Sequence, residues 1–127
     1  MGINETVAKA HNTAKEKGFW DNTGWNLGEK LMLITSELGE ALEADRKNQY
    51  AAIDAFDKFL AESGKYTSEQ FVENFKENIK DSFEDELADA VIRIFDLAGQ
   101  MNIDLEYHIK HKMQYNSTRD KLHGKKY

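Results

Sequence analysis

The sequence predicts an all-α protein. Two long amphipathic stretches, helix-start signatures ahead of the apolar runs, and a repeated pair of carboxylates at helical spacing carry that prediction. Leu27, Leu31, Ile34, Leu38 and Leu42 recur at spacings of four, three, four and four, and Phe83, Leu87, Val91, Ile94, Ala98 and Met101 repeat the pattern further on. Residues at those intervals share one side of a helix with about 3.6 residues per turn, so each stretch has a face to bury.

Along the chain, a first helical stretch begins at Ile3-Asn4, with Asn4 as N-cap and Val7, Ala10 and Ala14 on one side, and stops near Gly18. Residues 18–26 hold two glycines, short polar residues and both tryptophans, which makes a loop with a large aromatic content. Trp20 and Trp25 either close the core, the commoner fate of tryptophan, or stack on a ligand ring. Asn26 followed by Glu29 is a capping-box-like start for the leucine-striped helix. Residues 48–80 read as an intervening helical section: Ile53, Phe56 and Leu60 form one run, Ser63-Gly64 breaks it, and Thr67 with Gln70 restarts it ahead of Phe71 and Phe75. The second strong helix spans about Ser82 to Met101. Asp104 then caps a last helix that turns Leu105, Ile109 and Met113 inward.

At 127 residues the chain is most simply one domain, 1–127, and with 40% hydrophobic and 31% charged residues it suits a globular rather than a disordered protein. No apolar run approaches the ~18 residues of a membrane span, and the N-terminus lacks a secretory layout. A cytoplasmic location without membrane partners is the expectation. The absence of cysteine excludes disulfides, zinc knuckles and thiolate nucleophiles, which leaves oxygen and nitrogen ligands. Charge is unevenly spread: His108 to Tyr127 carries +5 and residues 1–107 carry −11, so an acidic body ends in a basic segment whose last part, 120–127, is a basic tail. A solvated or weakly nucleic-acid-binding terminus accounts for such a tail; no nucleic-acid-binding module accompanies it, and no nucleic-acid partner is expected.

The chemistry concentrates in Glu37 with Glu40 and in Glu86 with Asp89. Each pair sits three residues apart, close enough on a helix to repel. From Leu38, Glu37 lies about 100° and Glu40 about 160° around the axis; from Leu87, Glu86 and Asp89 show the same offsets of about 100° and 160°. If the leucine stripes face a shared core, the four carboxylates converge at one edge of the seam, where a hard divalent cation relieves their repulsion. A di-iron bundle would need Glu-x-x-His pairs, and no Glu here has a His three residues on. The competing reading is a non-enzymatic acidic helical interaction or regulatory module, with Arg93 pairing within its own helix to Asp89. Downstream, Lys112, Asn116 and Arg119 follow at spacings of four and three, and a cation, an amide and a guanidinium on one face suit phosphate oxygens.

The order Glu37-x-x-Glu40, Glu86-x-x-Asp89, then Lys112-x-x-x-Asn116-x-x-Arg119 resembles the all-α nucleoside triphosphate pyrophosphohydrolases. That MazG-like superfamily includes dimeric dUTPases, dCTP pyrophosphatases and phosphoribosyl-ATP pyrophosphohydrolases. The matching text, Leu33 to Arg46 and Phe83 to Arg119, covers roughly 50 residues. The resemblance implies a four-helix-type bundle with an extra helical insertion between the acidic helices. It implies Mg²⁺, with Mn²⁺ as a substitute, on Glu37, Glu40, Glu86 and Asp89, and a triphosphate on Lys112, Asn116 and Arg119; Trp20 and Trp25, outside the matched motifs, are the residues expected to wall the base. It further implies cleavage of a (deoxy)nucleoside triphosphate or a modified one to monophosphate and pyrophosphate, with phosphoribosyl-ATP as the alternative substrate, in a homodimer or homotetramer. Two features depart from the pattern: the 45 residues from Ala41 to Asp85 are longer than in short MazG-type domains, and Asp85 stands where many relatives have a second Glu.

Overall fold

The computed structural model describes residues 1–22 and 24–126, so Thr23 of the tryptophan loop and Tyr127 of the basic tail lie outside the described residues. Among the described residues there are six α-helices and no strands: α1 Ile3–Glu16, α2 Leu27–Arg46, α3 Ile53–Ser63, α4 Ser68–Asn78, α5 Phe83–Gln100 and α6 Leu105–Ser117, followed by a 3-10 turn at Lys121–Gly124. The all-α prediction holds. None of these helices is long and apolar enough to cross a membrane. The chain forms two compact units, one built from its two ends and one from Asn26–Arg93, with α5 contributing to both.

In the unit built from the ends, the starts of α1 and α6 complete each other. Backbone N–H groups in a first helical turn have no partner within their own helix. Ile3 donates its N–H to Glu106 Oε1 at 3.0 Å, and Glu106 donates its N–H to Asn4 Oδ1 at 3.2 Å. Asn4 Nδ2 donates to Asp104 Oδ1 at 2.9 Å, and the same oxygen caps α6 by accepting from the Tyr107 N–H at 3.1 Å. Asn4 is therefore not the cap of its own helix, as its sequence position predicts. Gly2 holds that place without a side-chain bond, because Glu106 reaches across to the orphan amide and frees Asn4 for the other helix. The donors around Asp104, Asn4 first and then the Tyr107 amide, hold its carboxyl below the usual range. Deeper in this unit Asp96 accepts from Trp20 Nε1 at 2.8 Å and is paired with His11 Nδ1 at 2.8 Å. Gly99 makes room for that pair, since a Cβ there would lie 2.6 Å from His11 Cβ. Met113, predicted to point inward from α6, is exposed, whereas Leu105 and Ile109 are half-buried. The buried side of α6 is thus narrower than its apolar spacing predicts.

In the unit Asn26–Arg93, α2 starts as its sequence predicts, with Asn26 accepting from the Glu29 N–H at 3.0 Å. The insertion forms a helical hairpin. Gly64, at φ 54°, ends α3, and Thr67 and Gln70 exchange both bonds of a capping box at 3.1 and 2.9 Å to start α4. Phe56, Phe59, Tyr66, Phe71 and Phe75 interlock by ring contacts of 5.3 to 6.1 Å, which gives the hairpin its own aromatic seam. Its two ends lie side by side: Ala52 donates its N–H to the Asn78 carbonyl at 2.8 Å, Phe83 donates to the Gln49 carbonyl at 2.9 Å, and Glu84 accepts from the Ala51 N–H at 3.1 Å. A section closed at its base can lengthen without moving the helices on either side of it. The long spacing between the acidic segments therefore places no strain on them.

Candidate metal centre

The buried side of α2 is not its leucine stripe. Leu27, Leu31, Leu38 and Leu42 are exposed, the last two by 49% and 51%, while Glu37, Ala41 and Ala44 are buried. On α5, likewise, Leu87 and Val91 are exposed and Glu86 and Ala90 are buried, as is Ser82 just before the helix. This corrects the expectation that the leucines line the core and the acids flank it. Lys30, Ile34, Glu37, Ala41 and Ala44 recur at four, three, four and three, a row as regular as the leucines but offset from them. Its alanines take up little volume and leave space for carboxylates on the inner side.

Glu37 keeps 8% of its exposure and Glu86 5%, whereas Glu40 stands exposed at the edge. The structure brings one carboxylate oxygen of each within 4.8 Å of the others. Oxygen ligands on opposite sides of a magnesium ion lie about 4.2 Å apart, and on opposite sides of calcium about 4.8 Å. Three oxygens on this scale can therefore serve a hard divalent cation. Glu86 Oε2 is buried without a hydrogen-bond partner. An unpartnered carboxylate oxygen buried among other carboxylates must either hold a proton or face a cation. Burial, then hydrogen bonding with Glu40 and Glu37, pushes Glu86 up to about 8, so at neutral pH it holds a proton.

Glu37 behaves differently. Burial pushes its carboxyl up, but the Arg93 hydrogen bond, followed by those with Glu86 and Glu40, outweighs burial and lowers it overall. The Arg93 Nε donates to Glu37 Oε1 at 2.8 Å. Arg93 therefore bonds across to α2 instead of pairing within α5 to Asp89, because it lies seven residues beyond Glu86 and shares its row. Asp89, the fourth predicted ligand, is not in the close group. It is half-buried one turn from Glu86, and burial followed by the charges of Asp85 and Glu37 raises its pKa.

The remaining predicted residues belong to the unit built from the chain ends. Lys112 and Asn116 lie on α6 and Arg119 just beyond it, where the Arg119 N–H donates to the Asn116 carbonyl at 3.2 Å. The Lys112 Nζ and the Arg119 guanidinium lie 5.1 and 5.4 Å from the centre of the Tyr115 ring, so both charges are close to one aromatic ring. Asn116 Oδ1 is buried without a hydrogen-bond partner. Trp20 and Trp25 meet edge to face at 5.3 Å, and Trp20 is tied to Asp96. Sequence reasoning missed His11 and Asp96, whose 85-residue separation leaves no local signal. The pairing of Arg93 within its own helix, part of the competing reading, is not the one found, and the seven-residue interval from Glu86 is the sequence sign of the bond to Glu37. Compared with protein-family models, curated proteins and solved structures, the chain finds no match.

Proposed function

We propose that this protein is a divalent-cation-dependent nucleoside triphosphate pyrophosphohydrolase, converting a nucleoside triphosphate, preferably a deoxynucleoside or modified one, to the monophosphate and pyrophosphate. The observation that carries the reading is the convergence of Glu37, Glu40 and Glu86, with a buried oxygen of Glu86 left without a partner. Glu37, Glu40 and Glu86 would hold the magnesium, and Asp89, one turn along, adds negative charge beside them. A bound magnesium supplies charge neutralisation on the phosphates and a more acidic water. Glu40, the exposed member, is the group placed to take a proton from solvent water. Water oxygen bonds to phosphorus, the bond to the bridging oxygen breaks, pyrophosphate leaves, and the water's proton passes to Glu40. On the sequence resemblance, Lys112, Asn116 and Arg119 bind the phosphates. The exposed leucines of α2 support a homo-oligomer in which a second copy covers that stripe.

A panel of nucleoside triphosphates offered with Mg²⁺, with monophosphate and pyrophosphate followed separately, tests the proposal. At least one triphosphate should be turned over, and Glu37→Gln should lower the rate at least a hundredfold. Absence of turnover across the panel, or full activity in Glu37→Gln, rejects the hydrolase and favours the acidic interaction module.

A further inference from the structure

We propose that Arg93 is the resident counter-ion of the carboxylate cluster, holding Glu37 in place in the metal-free protein and weakening the cluster's affinity for a free divalent cation. The inference rests on the cation site proposed above. Arginine keeps its charge at every physiological pH, so its attraction for Glu37 cannot be switched off by losing a proton. The Arg93 Nε donates to Glu37 Oε1 at 2.8 Å, and Glu37 is among the most buried residues of its unit. A buried carboxylate without an opposite charge is unfavourable, and a charge-assisted bond of this length is the means by which the fold tolerates it. Glu37 also belongs to the group of three converging oxygens, so a cation arriving there would share this carboxylate with a positive charge already in place. Like charges on one shared anion repel, and the repulsion is strong where water is scarce.

The consequence is a cluster tuned against free metal. A cation that arrives bound to a polyanion brings its own negative charge and is disfavoured less. Arg93 thus favours loading by a metal–polyphosphate complex over loading by the metal alone.

Calorimetric titration of the wild-type protein, Arg93→Gln and Arg93→Lys with magnesium chloride tests this, alongside thermal melts of each protein in chelator. Arg93→Gln should bind free Mg²⁺ at least about tenfold more tightly than wild type, and Arg93→Lys, which keeps the charge, should return to wild-type affinity. In chelator Arg93→Gln should melt several degrees lower, and adding Glu37→Gln to it should recover most of that loss. If wild type binds magnesium while Arg93→Gln binds it equally or more weakly, the role of Arg93 is overturned. If Arg93→Gln melts like wild type in chelator, the counter-ion is overturned whatever the metal does. Absence of magnesium binding by all three proteins overturns the cation site itself.

Discussion

Glu86→Gln is the substitution that most directly probes the acid cluster. Glu86 is 5% exposed, and its carboxyl is pushed up to about 8, first by burial and then by Glu40 and Glu37, against 4.5 for an unperturbed one. Between those two values the folded protein holds a proton that the unfolded chain has released. The contribution of Glu86 is therefore fully present below about 4.5, falls as pH rises, and is lost above about 8. One such proton changes stability by at most about 1.4 kcal/mol per pH unit. Solvent entering beside the exposed Glu40 screens the cluster, and a slope on the order of 0.5–1 kcal/mol per pH unit is the expectation. For a chain of this size that amounts to a melting temperature falling by about 2–5 °C per pH unit. Glu37, whose carboxyl is lowered, contributes in the opposite sense and in another window: its stabilisation is lost as pH falls below the ordinary carboxylate range. The assay is thermal unfolding of wild type and Glu86→Gln in chelator from pH 5 to pH 9. The difference between the two proteins should vary with pH up to about 8 and then level off. Parallel curves across that range would refute the burial and clustering of Glu86 as the source of the retained proton. Added magnesium competes with that proton, so its stabilising effect on wild type should grow from pH 6 to pH 8.5 and be much reduced in Glu86→Gln.

Two further outcomes concern the unit built from the chain ends. Asp96→Ala removes the acceptor for both Trp20 Nε1 and His11 Nδ1, and should destabilise the protein by about 2–3 kcal/mol in urea unfolding, with a change in tryptophan emission. Retention of wild-type stability would show that both donors find water instead. Gly99→Ala places a methyl group 2.6 Å from His11 Cβ and should destabilise by about 1–3 kcal/mol, with altered near-ultraviolet circular dichroism. A neutral Gly99→Ala would mean that α1 moves aside freely.

The exposed leucines bear on how apolar periodicity is read. Leu38 and Leu42 repeat with a helical period, and so do Glu37, Ala41 and Ala44, yet only the second row is buried. A hydrophobic row identifies a face that benefits from cover, and it does not say whether the cover comes from the same chain. In this chain the inner rows of α2 and α5 carry alanines and the acids Glu37 and Glu86, while several larger apolar side chains point outward.

Much of the secondary structure was legible in the amino-acid order, because helix formation is governed by neighbours three and four residues away. The Asn26, Thr67 and Asp104 caps, the break at Gly64 and the helical insertion all follow from local hydrogen bonding and backbone preference. The pairing of Glu37 with Glu40 was readable for the same reason. Contacts between distant segments were not. Which row of α2 turns inward, which three of four acids converge, why Asn4 serves the helix at the other end of the chain, and where Arg93 finds its partner all depend on side chains brought together from 46 to 103 residues apart. At that range spacing along the chain carries no geometric information, and only the folded arrangement of the helices selects the partner.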